Sequence, residues 1–347
     1  MFNLQIPSID ESATQAAAAQ QADLTKPAGA LGKLEPLSIR LAGMTGNPSP
    51  TFDNKGVIVM AGDHGVTAEG VSAFPSAVTP QMVLNFLMGG AAVNVLARQA
   101  GATVTVVDMG VNFDFDDHPQ LVKAKVARGT DNMAVGPAMS REQAVQAIQA
   151  GIDVVSAEIA KGLNIVAIGE MGIGNTTPAS AITAVFTGLP VADITGRGTG
   201  LDDAGLANKV AVIERAIATN APDASDPIGV LAKLGGYEIA GLAGVVLGAA
   251  AHRVPVITDG FIASSAALIA AEIDPAAKDY LLASHNSVEI GHQAILARLG
   301  LEPLFDLGFR LGEGTGAVMA FHFVEAAVRT LNEMATFASA GVSEKDA

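Results

Sequence analysis

Four short apolar, β-branched runs punctuate the chain, at residues 56–61, 103–107, 164–168 and 254–257. Continuous apolar runs of this length suit strands buried on both faces. Helical patterns lie between them. Thr79-Pro80 reads as an N-cap with proline at the first helical position, opening a helix to about Gln99 that Gly101 stops. Ser140-Arg-Glu-Gln143 is a capping box for a helix running to about Lys161, before Gly162. Thr177-Pro178 opens another, and Leu206, Val210, Ile213 and Ile217 mark one face of a helix near 204–219. Strands alternating with helices predict an α/β fold: a mostly parallel, Rossmann-like sheet flanked by helices.

The ends of the chain read differently. An Ala/Gln-rich helical pattern near 10–24 is broken at Lys26-Pro27-Ala28-Gly29 and followed by a second amphipathic stretch. Residues 318–337 read as a terminal helix, 343–347 as a frayed tail, and Asn47-Pro48-Ser49-Pro50 as a linker. The expectation is a small helical subdomain from 1–48 plus 318–347, beside a large α/β catalytic domain over 49–317.

Each apolar run leads into an acid near a glycine: Asp63, Asp108, Glu170 and Asp259. Ligands of open parallel sheets bind outside the carboxyl ends of the strands, so these acids should gather at one rim. Turn formation and capping by Asp account for part of this pattern without any ligand.

Composition narrows the function. The chain has 347 residues, half of them hydrophobic, and a net charge of −15. So strong an acidic excess argues against nucleic acid and anionic membrane surfaces as partners. It leaves room for a small anionic substrate at one local positive site. There is no cysteine, which excludes disulfides, thiolate metal ligands and thiol nucleophiles. The first residues show no basic stretch followed by an apolar run, and the most apolar segment, 239–251, is too short to span a bilayer. A cytoplasmic protein is expected. The six histidines form no recognised zinc motif. His285 and His292, seven apart, have the spacing to share a helix face, and no metal or other cofactor is expected.

Two glutamates sit inside runs of glycine: Glu170 in Gly169-Glu170-Met171-Gly172-Ile173-Gly174-Asn175-Thr176, and Glu313 in Leu311-Gly312-Glu313-Gly314-Thr315-Gly316. Glycine gives up side-chain packing for backbone freedom and close approach. The first segment follows a strand and opens a helix, so its N–H groups suit an anion. It matches neither the Walker loop nor the dinucleotide fingerprint. Lys209 can act as a point charge for a phosphate or be a solvated helix lysine. The second segment shows no such helix start. A third glycine-rich stretch, 195–200, reads equally as a flexible connection. Met82, Phe86, Met171 and Leu311 are either pocket lining or core, and Gln81 lies near a helix start on the rim side.

Taken together, several segments resemble the nicotinate-nucleotide–dimethylbenzimidazole phosphoribosyltransferases of cobalamin biosynthesis. They are Ala61-Gly62-Asp63-His64-Gly65-Val66, Val78-Thr79-Pro80-Gln81-Met82, the Gly169–Thr177 stretch, residues 195–200, Thr258-Asp259-Gly260-Phe261, Ser284-His285-Asn286-Ser287 and the Leu311–Gly316 stretch. Their order covers nearly the whole chain. Where the family often has Pro-Gly-Ser-Leu-Gly, this chain has Pro27-Ala28-Gly29-Ala30-Leu31-Gly32.

The resemblance implies a metal-free homodimer that moves the 5-phosphoribosyl group from nicotinate mononucleotide to 5,6-dimethylbenzimidazole. It implies Glu313 as general base, with Glu170 as the alternative base or a transition-state stabiliser. By the same resemblance Gly172, Gly174, Asn175, Thr176, Lys209 and Ser287 hold the phosphate, and Asp259 the ribose hydroxyls. Gln81, Met82, Met171 and Leu311 lie against the acceptor base. A nucleotide-binding protein without catalysis, and a dehydrogenase lacking the usual fingerprint, are the competing readings of the residues.

Overall fold

The structure is a computed structural model that describes residues 2, 4–198 and 200–343. Expectations for Thr199 and for 344–347 lie outside the described residues. The chain opens with α1 (Glu11–Asp23) and α2 (Leu34–Thr45), then enters the sheet at β1 (Lys55–Gly62). Helices α3 (Val78–Leu87) and α4 (Ala92–Ala100) lead to β2 (Ala102–Gly110) and β3 (Leu121–Lys123). The long α5 (Arg141–Ala160) precedes β4 (Ile165–Met171). Five helices follow: α6 (Thr176–Thr187), α7 (Val191–Ile194), α8 (Asp203–Asn220), α9 (Pro227–Leu234) and α10 (Tyr237–Ala251). The chain closes with β5 (Val256–Thr258), α11 (Phe261–Ile273), β6 (Leu281–Ala283), α12 (Ile290–Leu299), α13 (Thr315–Glu333) and α14 (Phe337–Ala340).

The six strands are all parallel, in the order β3-β2-β1-β4-β5-β6. This is the doubly wound order, whose direction reverses between β1 and β4 and opens a crevice at their carboxyl ends. Successive residues of β1 serve opposite cores. Ile58 and Met60 pack with Val107, Ile168 and the apolar faces of α5, α10 and α11. Val57, Val59 and Ala61 pack with Val106, Ala167 and residues of α2, α4 and α13. Helices on both faces explain the continuous apolar runs of the central strands β1 and β4. The Ala/Gly-rich α10 is buried against α5; a Cβ on Gly151 would stand 1.9 Å from the Gly241 carbonyl oxygen, so this contact needs glycine.

The two chain ends pack together. Gln20 donates to the Leu331 carbonyl at 2.6 Å, Thr25 N–H to the Ala335 carbonyl at 3.0 Å, and Leu24 bridges Thr336. A small cluster of Ala17, Ala42 and Leu331 is their own. Val318 and Phe321 of α13, however, belong to the same apolar cluster as the strands.

Four helix expectations are corrected. The single helix over 79–99 is two helices, parted by Met88 to Ala91; Gly89 takes φ +75° there. The stretch Val78–Ala100 has the length and hydropathy of a membrane span, but this break divides it. Thr79 is not an N-cap, because α3 begins at Val78 with Ala77 as a cap lacking any side-chain bond. The terminal helix begins at Thr315 rather than 318, and the capping-box helix runs as expected from Ser140. His285 and His292 do not share a helix: His285 precedes α12, and the ring centroids are 6.1 Å apart.

Candidate active site

The crevice at the β1/β4 reversal holds a cavity of about 320 Å³. One wall is Phe74, Val78 and Met82 at the start of α3; another is Met171 to Thr176 after β4; Leu311 and Glu313 close it. The four rim acids are all buried at strand ends, yet only Glu170 borders this cavity. Asp63 accepts the Asn112 N–H at 2.8 Å, and Asp108 accepts Val111 N–H at 2.9 Å and Lys125 at 3.1 Å. Loop N–H groups, and for Asp108 also the Lys125 ammonium, engage those two.

Asp259 is a cap. Its carboxylate accepts the N–H groups of Gly314 (3.1 Å) and Ala317 (3.0 Å), at the N-terminus of α13. The Glu313 segment therefore does open a helix, contrary to the expectation from sequence, and the anion at that helix end is Asp259. Burial pushes the Asp259 pKa up to about 7, against four backbone N–H donors that lower it. The neighbouring His285 Nδ1 is 3.8 Å away. Burial lowers the His285 pKa to about 4, so this contact is not an ion pair at neutral pH. Asp259 does not line the cavity.

The two glycine-set glutamates interlock. A Cβ on Gly169 would lie 2.3 Å from the Glu313 carbonyl oxygen, and a Cβ on Gly312 would lie 2.4 Å from Glu170 Oε1. Each segment's glycine admits the other segment's glutamate. Glu313 itself has φ +63°, between Gly312 at +82° and Gly314 at +89°. For a residue with a Cβ this left-handed backbone costs about 1–2 kcal/mol, and such strain concentrates at functional sites. One Glu313 carboxyl oxygen is buried with no hydrogen-bond partner. Burial raises its pKa, and the Val93 N–H at the start of α4 pulls the other way. The Gly89-Gly90 break thus has a consequence here, since it creates the helix end that faces Glu313.

Glu170 is bonded to the Asn175 amide. Burial raises its pKa to about 8; Asn175 lowers it, while the charges of Glu238, Asp259 and Glu313 raise it further. Below the loop, His64 Nε2 meets Glu238 Oε1 at 2.8 Å, both enclosed by protein. Burial disfavours the imidazolium, but Glu238 and Asp63 hold the His64 pKa above its ordinary value.

The far wall of the cavity is the start of α6. Gly172, Asn175 and Thr176 line the cavity, and Gly174 (φ +91°) forms the turn between them. Lys209 is no solvated lysine: it is fully buried, and Nζ donates to Thr176 Oγ1 at 2.6 Å. Burial lowers its pKa to about 8, opposed by Glu289. Gly198 of the third glycine-rich stretch also lines the cavity, within reach of Thr176 and Lys209.

Met82, Met171 and Leu311 line the cavity as expected; Gln81 is exposed and does not, because Val78 and Met82, four apart, present the cavity face of α3. Phe86 is core. Ser287 lines a smaller adjoining niche with Glu170 and Glu289, its hydroxyl donating to the Phe309 carbonyl at 3.4 Å. Arg310 and Glu289 border the cavity and were not singled out from sequence. Arg310, directly before Leu311-Gly312-Glu313, was within reach of that reading as a cation beside the motif. Glu289 carried no signal. Among the described residues no group of three or more His, Asp or Glu is placed to hold a metal ion.

Comparison with known proteins agrees with this fold. A protein of Roseiflexus sp. (strain RS-1) is 60% identical over 340 residues, covering 98% of this chain and 96% of that one. A Geobacter sulfurreducens protein is 56% identical over 338 residues, covering 97% and 96%. Both are named nicotinate-nucleotide–dimethylbenzimidazole phosphoribosyltransferase. The crystal structure of the Thermus thermophilus enzyme of that name superposes with a TM-score of 0.93 at 45% identity, over 97% of this chain and all of that one. A phosphoribosyltransferase family model matches residues 6–342. With a crevice at the strand reversal, a glycine turn opening α6 and a buried carboxylate across from it, this chain belongs to the phosphoribosyltransferase family of those enzymes.

Proposed function

We propose that this protein transfers the 5-phosphoribosyl group of nicotinate mononucleotide to 5,6-dimethylbenzimidazole, giving α-ribazole 5′-phosphate and nicotinate, with Glu313 as general base. The observation that carries the reading is Glu313 itself: a buried carboxylate with one unpartnered oxygen, held in left-handed backbone at the edge of an apolar cavity. One nitrogen of the benzimidazole attacks C1′ as the bond from C1′ to the pyridinium nitrogen breaks. The bonding pair returns to the departing ring, which leaves as nicotinate. The proton on the other benzimidazole nitrogen passes to Glu313. Burial raises the basicity of this carboxylate, toward a range useful for general base catalysis.

The phosphate suits the start of α6, where Thr176 is backed by Lys209 and helix N–H groups favour an anion. Met82, Met171, Val78 and Leu311 offer apolar contact to the acceptor. Glu170, bonded to Asn175 and facing Gly312, is placed to stabilise positive charge developing on the ribose once it is ionised. Nothing in the reaction requires a metal or redox cofactor. A homodimer in the cytoplasm completes the reading, checked by sedimentation and cell fractionation.

The test is incubation with both substrates and mass spectrometry for α-ribazole phosphate; folded protein giving no product refutes the assignment. Glu313→Gln should lower kcat by about 10²–10⁴-fold, the usual worth of a general base, while nucleotide KM stays nearly unchanged. Unchanged kcat removes Glu313 from the role.

A further inference from the structure

Helix α3 supplies the apolar wall through Val78 and Met82, with Phe74 just before it. Its start carries no side-chain cap. Thr79, the second residue of the helix and fully buried, directs its hydroxyl elsewhere: Oγ1 accepts the backbone N–H of Ile173 at 3.1 Å. Ile173 lies in the turn between β4 and α6, with Gly172 and Asn175 beside it on the cavity. Two further contacts join this turn to the segment that precedes α3. A Cβ on Gly174 would touch Thr67 Cγ2 at 2.7 Å, and one on Gly172 would stand 3.1 Å from His64 Nε2. Those are close approaches of glycine backbone with no directional bond. The Thr79 bond is directional and ends on the backbone of the anion-binding turn. The segment is stiffened from behind, where Ser76 donates to Thr67 Oγ1 at 3.1 Å.

We propose that Thr79 is a positioning residue that fixes the distance between the acceptor wall on α3 and the nucleotide turn at 172–176, so that filling one half of the site orders the other. It rests on the reaction assigned above. Loss of the acceptor oxygen leaves a buried N–H unpaired and lets the turn drift relative to the wall. A drift of this kind acts on both substrates at once, whereas lost packing alone acts on stability.

The experiment is steady-state kinetics of Thr79→Val, Thr79→Ser and the unaltered enzyme, varying both substrates. Thr79→Val keeps the shape and removes the acceptor. We expect its kcat to fall about 10-fold, the scale of one unpaired buried N–H. We also expect the dimethylbenzimidazole KM to stop depending on nucleotide concentration. Thr79→Ser, which restores the oxygen, should return both to within about 3-fold, well inside that tenfold scale. Thr79→Val with ordinary kcat and ordinary interdependence of the two KM values overturns the proposal, whatever its thermal stability. Should that variant not fold, hydrogen exchange on the unaltered protein decides: dimethylbenzimidazole should slow exchange of the Ile173 amide, and an unchanged rate overturns the proposal. Absence of α-ribazole phosphate from the unaltered protein sinks the reaction assignment instead, a separate outcome from either.

Discussion

The interlocked glycines give a quantitative test of how the site is built. In Gly169→Ala the new Cβ would meet backbone at its three nearest contacts: Glu313 O at 2.3 Å, Glu313 C at 2.5 Å and Gly314 N at 2.5 Å. Comfortable carbon contacts begin near 3.5 Å, so β4 and the Glu313 segment must separate by about 1 Å. No side-chain rotation relieves this. Overpacking of this kind costs about 1–3 kcal/mol, and two opposed backbones put the variant at the upper end. The displaced atoms carry Glu313, and a misplacement of about 1 Å near a reacting group costs about 10²-fold in rate.

Gly312→Ala differs in kind. Its closest contact is Glu170 Oε1, at 2.4 Å, the movable end of a side chain, while φ is +82°. The backbone term of about 1–2 kcal/mol then dominates, and Glu170 rather than Glu313 is displaced. Gly136→Ala, with nothing within 4 Å and ordinary φ, is the control and should stay within about 0.5 kcal/mol. Urea midpoints and kcat for the three variants are the measurements. We expect stability to fall in the order Gly136→Ala, Gly312→Ala, Gly169→Ala, with Gly169→Ala the slowest catalyst. A Gly169→Ala protein with unaltered kcat would show that Glu313 is not held in place by β4, and the account of the site would fall with it.

Other expectations follow from the charges. Arg310 borders the cavity on its exposed side, so Arg310→Ala should raise the nucleotide KM about 10-fold, the scale of one charge-assisted hydrogen bond, with Arg310→Lys intermediate; an unchanged KM removes it from substrate binding. Burial holds His285 near pKa 4 and His292 near 3. The unfolded chain binds protons there that the folded chain does not, so these residues make stability rise with pH up to about 6.5. Glu170 (about 8) and Asp259 (about 7) act oppositely. Folded protein keeps protons that the unfolded chain releases above about pH 4, so their contribution is lost as pH rises toward 7–8. Urea midpoints should therefore decline from about pH 6.5 to 8, where proton loss from buried Lys209 (about 8) begins to act the other way. Glu170→Gln should flatten that decline, and an equally steep one in the variant would contradict the assignment.

What the sequence disclosed is what depends on neighbours along the chain. Residues 56–61 and 164–168 read as doubly buried strands because each run carries its own pattern, and the Ser140 capping box needs only four residues. The carboxyl-end rule then locates the crevice without a contact map. Pairings between distant segments are not legible. Asp259 reads as a ligand-binding acid because its partners, Gly314 and Ala317, stand 55 and 58 residues away. Thr79 reads as a cap because the Ile173 N–H that claims its hydroxyl is 94 residues on. Lys209 reads as either a phosphate point charge or a solvated lysine, because nothing local shows that it bonds Thr176 and Gly196. In each case the side chain is bound instead by a segment that the local pattern does not show. Burial makes the difference. An unpaired polar group in the interior costs about 1–3 kcal/mol, more than a surface cap usually contributes, so where segments converge the long-range partner takes the side chain. Sites at strand ends are such places, and local pattern therefore assigns their residues least well where the chemistry lies.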